Sequence, residues 1–259
     1  MKLAHHQKHD RRQRAAGETA FTMVEIAISL AIIGFALVAI IGVLPFGMNV
    51  QRENREETII NQDAAYWIEA IRNGARGLDE LTNAVIGITN YAAEYSSTNS
   101  NPTYYTYGYT YLTPFYPLTN GYNIIGLLST PKYEPAQFIV GGTRSNHIVL
   151  YTRSLSGLAV EKYPQDNPDV RQDAFSYRML VENVPVSLSN AGTPAGQQLA
   201  GNLHELRLYF RWPLLNGGNI GNGRQTFRTM VGGTVANDPP GGVTWFFQPD
   251  TFAYATNAP

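Results

Sequence analysis

The chain has no cysteine, so disulfides, thiolate metal sites and a cysteine nucleophile are all excluded. Stability has to come from packing. Charge is sparse as well: only 15% of the 259 residues are Asp, Glu, Lys or Arg, and the formal net charge is −1. That balance gives no global pull toward nucleic acid or anionic lipid, and any such partner would need a local patch. No repeat of solenoid length is visible. What the chain does have is 44% hydrophobic residues, enough for a sizeable core, and sixteen tyrosines, which together with abundant Asn, Gly and Thr suit extended, partly exposed β structure.

Those hydrophobic residues are unevenly placed. Residues 1–20 are polar and basic, with Lys2, Lys8, Arg11, Arg12 and Arg14 against Asp10 and Glu18, a net +3 that favours retention on the cytoplasmic side. From Ile26 to Gln51 no residue is charged, and Ile26 to Leu44 is almost wholly Ile, Leu, Val, Ala, Phe and Gly. About 20 such residues span the hydrocarbon core as a helix. A secretory signal has an apolar region of only about 7–15 residues ending in a small-residue cleavage site; this run is longer and lacks such a site. Glu25 opens it, and a carboxylate beside lipid calls for a partner.

The string Ala20-Phe21-Thr22-Met23-Val24-Glu25 before a long apolar helix resembles the processing motif of type IV pilins and type II secretion pseudopilins. Ala20 stands where the family usually has Gly, and Met23 where Leu is common. The resemblance implies a leader over 1–20, cut by a prepilin peptidase between Ala20 and Phe21, and N-methylation of Phe21. It also implies that Glu25 sets register in assembly by pairing with the amino terminus of a neighbouring subunit, and that the partners are other pilin or pseudopilin subunits, an inner-membrane assembly platform and the lipid bilayer. A single-pass protein of the inner membrane follows, N-terminus cytoplasmic and C-terminal domain outside. Pro45, where pilins often carry a helix-disrupting proline, is expected to kink or locally melt the helix. A plain signal anchor with an accidental Glu is the competing reading.

Beyond the apolar run, Arg52-Glu53-Asn54-Arg55-Glu56-Glu57 reads as a membrane interface or simply a wet helix face. Ile60, Ala64, Trp67, Ile71 and Leu78 then lay an apolar stripe along a helix. Helix is expected from Thr22 to Arg76, a rod on the order of 80 Å, stopped by Gly74 and Gly77. The expected organisation is a transmembrane helix over 21–50, its amphipathic continuation over 51–81, and a β-rich globular domain over 82–259 with a Tyr/Asn-rich insertion about 90–122. The fold class is α+β: a pilin-like long helix on an antiparallel sheet. Alternation in Tyr104 to Tyr111 predicts a strand or hairpin, and further strands are expected at Ala136–Val140, His147–Arg153, Phe175–Val186, Leu203–Trp212, Gln225–Val231 and Val243–Phe247. The segments Leu206–Pro213 and Arg224–Thr229 read as one antiparallel hairpin.

Candidate chemistry is thin. His5, His6 and His9 cluster inside the leader. Asp166, Asp169 and Asp173 lack the spacing of a calcium loop, so a solvated turn is the default and no metal site is assigned. The glycine-rich run Gly217–Gly223 is followed by no Lys-Ser/Thr and reads as a hairpin connection rather than a phosphate cradle. His147 and His204 stand isolated, no Ser, His and Asp constellation can be nominated, and neither a catalytic residue nor a cofactor is expected. Arg207, Arg211, Arg224 and Arg228 could gather on one hairpin and touch phosphates, but charges guarding a strand edge explain them too, and nucleic acid is not the expected partner. The expectation is a non-enzymatic filament subunit, a minor pilin or pseudopilin by its large, irregular body. The competing class is a surface adhesin or ligand- or DNA-binding protein that uses the Tyr-rich insertion; a membrane-anchored enzyme has no residue to recommend it.

Overall fold

The computed structural model describes residues 21–74, 77–96, 101–156, 175–186 and 193–251. The chain divides into two compact units, residues 1–53 and 54–259. Helix α1, Met23–Arg72, begins in the first and ends in the second.

In the first unit, α1 is long and apolar enough to cross a membrane, and none of its most apolar window is buried. Side chains such as Ile33, Phe35, Ile41 and Phe46 are exposed, which for so many large apolar groups together is the pattern of a surface made for lipid or for another helix. Pro45 lies within α1 and the helix runs unbroken across it. The backbone therefore does not melt there, although the ring removes one hydrogen-bond donor.

In the second unit, the rest of α1 buries Ile60, Asp63, Ala64, Trp67, Ala70 and Ile71, one face at three- and four-residue spacing. The helix ends at Arg72 rather than the expected Arg76, and Leu78 packs on the core from the chain beyond it. Gly74 is the reason: it takes a φ of +55°, and a Cβ on it would lie 2.5 Å from the Phe247 carbonyl oxygen, so only glycine turns the chain this close to another backbone.

Among the described residues the main sheet has seven antiparallel strands. They are β1 (Val85–Tyr95), β2 (Thr103–Tyr109), β3 (Tyr133–Pro135), β4 (Thr143–Arg153), β5 (Ser176–Pro185), β6 (Leu203–Leu214) and β7 (Ile220–Gly232). Their order is β2-β1-β4-β5-β6-β7, with β3 on β4. A separate hairpin pairs β8 (Thr234–Asn237) with β9 (Trp245–Gln248). The α+β architecture, a long N-terminal apolar helix with an antiparallel sheet, is as expected. Ile60, Trp67 and Ile71 pack with Ile148, Leu150, Met179, Leu208 and Phe210 in one core.

Three of the departures from the sequence reading have a clear physical reason. Ala136–Val140 is not a strand; it is a turn built on Glu94, whose buried carboxylate accepts from the backbone N–H groups of Gln137 (2.9 Å) and Phe138 (3.2 Å). Strand β1 went unrecognised because Asn90 and Glu94 are polar but buried, which disguises its period. The third is α3, Gly121–Leu128, buried nearly all round and only 8 residues long, too short for its period to be read in the sequence. Two short helices, α2 (Leu81–Ala84) and α4 (Pro194–Asn202), are also present among the described residues.

Candidate functional site

At the start of α1 the geometry is a capping box. Thr22 is the last residue before the helix. Its Oγ1 accepts from the Glu25 N–H (3.3 Å), while Glu25 Oε2 accepts from the Thr22 backbone N–H (2.8 Å) and from the Thr22 hydroxyl (2.9 Å). Glu25 is thus held against its own helix end, where its charge also complements the helix dipole. The signal is present in the sequence as Thr-x-x-Glu before an apolar run, and it makes Thr22 a helix cap as well as part of the motif. Among the described residues Oε1 of Glu25 has no intrachain partner. Phe21 is exposed beside this box. Ala20, with residues 1–19 and the leader histidines, lies outside the described residues, as do Asp166, Asp169 and Asp173.

In the second unit, a buried polar chain fastens the sheet to residues 60–71 of α1. Trp67 Nε1 donates to the Tyr177 hydroxyl (2.9 Å), which donates to Asp63 Oδ2 (3.0 Å), and Asp63 also accepts from the Leu155 N–H (2.9 Å) and the Ser156 hydroxyl (3.2 Å). Burial pushes the Asp63 carboxyl up, against the downward pull of those donors, and pushes the Tyr177 phenol well up.

Near the β1–β4 end of the sheet's inner face, a cavity of about 290 Å³ is lined by residues including Asn90, Tyr109, Glu134, Gln137, Arg144 and Trp245. Its polar groups are largely engaged with one another. Arg144 donates to Gln137 (2.9 Å) and Asn146 (3.2 Å), stands 3.4 Å from Glu134 and 3.9 Å from Glu94, and lies over the Tyr107 ring. This is a brace between β1, β3 and β4.

The tyrosine-rich stretch forms β2. Pairing with β1 sets Tyr105 opposite Ala92, Tyr107 opposite Asn90 and Tyr109 opposite Ile88. Those three are half-buried or buried, while Tyr104 on the other face is widely exposed. The expected β6–β7 hairpin forms in the register that opposes Arg207 to Arg228 and Arg211 to Arg224, so the four arginines do share a face. His204 is buried on the other face of β6 against Phe247, and burial lowers its pKa; Glu205 points away from it and pairs with Arg207. Half-exposed His147 stands 4.0 Å from Glu182. Among the described residues no group of three His, Asp or Glu side chains is arranged to hold a metal.

No family model, curated protein or solved structure matches the chain.

Proposed function

We propose that the chain is a pilin-like structural subunit, a minor pilin or pseudopilin that is trimmed between Ala20 and Phe21, anchored in the inner membrane by α1 and assembled into a filament. The observation that carries this reading is the exposed apolar helix opening directly on Phe21-Thr22-Met23-Val24-Glu25. Its N-terminus would stay cytoplasmic because of the basic leader, and the β-rich unit would lie outside. Prepilin peptidase, sister subunits and an assembly platform are the partners this implies. A pilin-like fold is in keeping with one long helix packed on an antiparallel sheet.

The capping box sharpens the role of Glu25. It uses the Thr22 amide rather than that of Phe21, so a cut before Phe21 leaves it intact. The new Phe21 amino group of a neighbouring subunit would then meet a carboxylate already fixed in direction, with one oxygen open. In lipid such a charge is tolerated when paired.

The test is N-terminal sequencing and intact mass of the membrane-extracted chain, expressed with and without a prepilin peptidase. The expected product starts at Phe21 only when peptidase is present; persistence of the leader would overturn the proposal. Two variants then separate capping from assembly. Thr22→Ala should weaken the helix end by about 1 kcal/mol yet still assemble, whereas Glu25→Ala should be processed and fail to assemble. Equal behaviour of the two variants would leave Glu25 a helix cap only.

A further inference from the structure

The solvent face of the sheet carries a row of basic residues whose register is unusual. Tyr151, Arg178, Arg211 and Arg224 stand side by side on β4, β5, β6 and β7, each directly opposite the next. With strands about 4.8 Å apart, the three arginine positions fall within about 10 Å. Like charges directly opposite one another weaken a sheet, so the arrangement asks for a compensating anion.

Two ordinary explanations fail. Guarding an edge accounts for Arg224 on β7, but β5 and β6 are interior strands with no edge to guard. Internal neutralisation fails too: among the described residues no carboxylate forms an ion pair with any of the three arginines. The nearest acidic groups on this face are committed elsewhere, Glu182 to Lys132 at 2.7 Å and Glu205 to Arg207.

We propose that this row binds a linear acidic polysaccharide, one that carries a carboxylate on its sugars, with the carboxylates seated on Arg178, Arg211 and Arg224. Guanidinium forks match carboxylates two bonds at a time. In the next row of the same face Val149 is buried, while half-buried Leu180 and Tyr209 offer apolar and aromatic surface to the C–H faces of sugar rings. Charge density decides against a duplex nucleic acid, which presents one phosphate per about 1.7 Å and needs a broad basic field. Here the row is narrow: in the next charged row of the same face Arg207 and Arg228 are set against Glu182 and Glu205, and the formal net charge of the chain is −1. A polymer with one charge per sugar fits a single row. This site is independent of the filament reading.

The experiment uses the full chain in lipid nanodiscs and measures binding of polygalacturonate, of the same polymer fully methyl-esterified, and of a duplex DNA oligomer. The expected result is that polygalacturonate binds with an affinity that falls as salt rises, while the ester, which has the same backbone without charge, does not bind. Arg211→Gln should weaken binding roughly tenfold, and the combined Arg178→Gln, Arg211→Gln, Arg224→Gln variant should abolish it. Arg72→Gln, on the exposed side of α1, should change nothing. Thermal midpoints of the sheet variants should hold or rise, because opposed charges have been removed, so a loss of binding cannot be assigned to unfolding. No binding of polygalacturonate, equal binding of the ester, full binding by the triple variant, or tighter binding of DNA through the same arginines would each overturn the proposal.

Discussion

At the scale of single residues, the buried polar groups carry more information than the exposed charges. Asp63 is enclosed by donors from three other residues, the Leu155 N–H, the Tyr177 hydroxyl and the Ser156 hydroxyl. Replacing it with Ala leaves these groups facing nothing, at roughly 1–3 kcal/mol for each buried one that finds no water. Asp63→Ala is therefore expected to destabilise the folded unit by about 2–4 kcal/mol, read from denaturant midpoints at constant m-value. Trp67→Phe, which removes one donor and keeps most of the apolar volume, should cost less, on the order of 1–2 kcal/mol; if the two cost the same, the network is not what fastens the helix. Asp63 sits within the apolar stripe that the sequence displayed, but nothing in its neighbours along the chain announced it, because Tyr177 and Ser156 approach from more than 90 positions away.

Among the elements, α3 shows how tertiary packing overrides local pattern. The segment Gly121–Leu128 is only 8 residues long, too short to display a helical period in the sequence, and its helix is started by Asn120, whose side chain accepts from the Asn123 N–H at 2.8 Å. Gly126 would look like a weak point in any helix. In place, it is where β9 and its approach come closest: a Cβ there would lie 2.7 Å from Thr244 Cβ and 2.8 Å from the Phe246 ring. Gly126→Ala should thus destabilise by about 1–3 kcal/mol through overpacking, the opposite of the gain of up to about 1 kcal/mol that helix propensity predicts. Thermal melts of the variant decide between the two signs. Helix α4 carries a local start signal: Thr193 caps it and Pro194 occupies its first turn.

On the scale of the whole molecule, stability should depend on pH through His204. Burial lowers its pKa in the folded state, so the folded chain resists a proton that the unfolded chain accepts near its ordinary pKa of about 6.5. The contribution is present above that value and is lost as pH falls through it. Between pH 7.5 and 5.5 the denaturation midpoint should drop, and in His204→Leu the part of the drop due to this residue should vanish; an unchanged slope in the variant would assign it to other groups. Across the molecule, the division of labour between sequence and structure has a physical basis. The apolar run after Glu25, the stripe Ile60, Ala64, Trp67 and Ile71, the β6–β7 hairpin and the α+β class were readable in advance, because each is a local, periodic pattern that a single element displays on its own. The capping role of Thr22 was equally local and went unread. Strand β1, the turn over Glu94, helix α3, the inward tilt of Tyr105, Tyr107 and Tyr109, and above all the alignment of Arg178 with Arg211 and Arg224 were decided only in three dimensions. Register between strands is fixed by which faces are buried together, and that is a property of pairs of segments far apart in the chain.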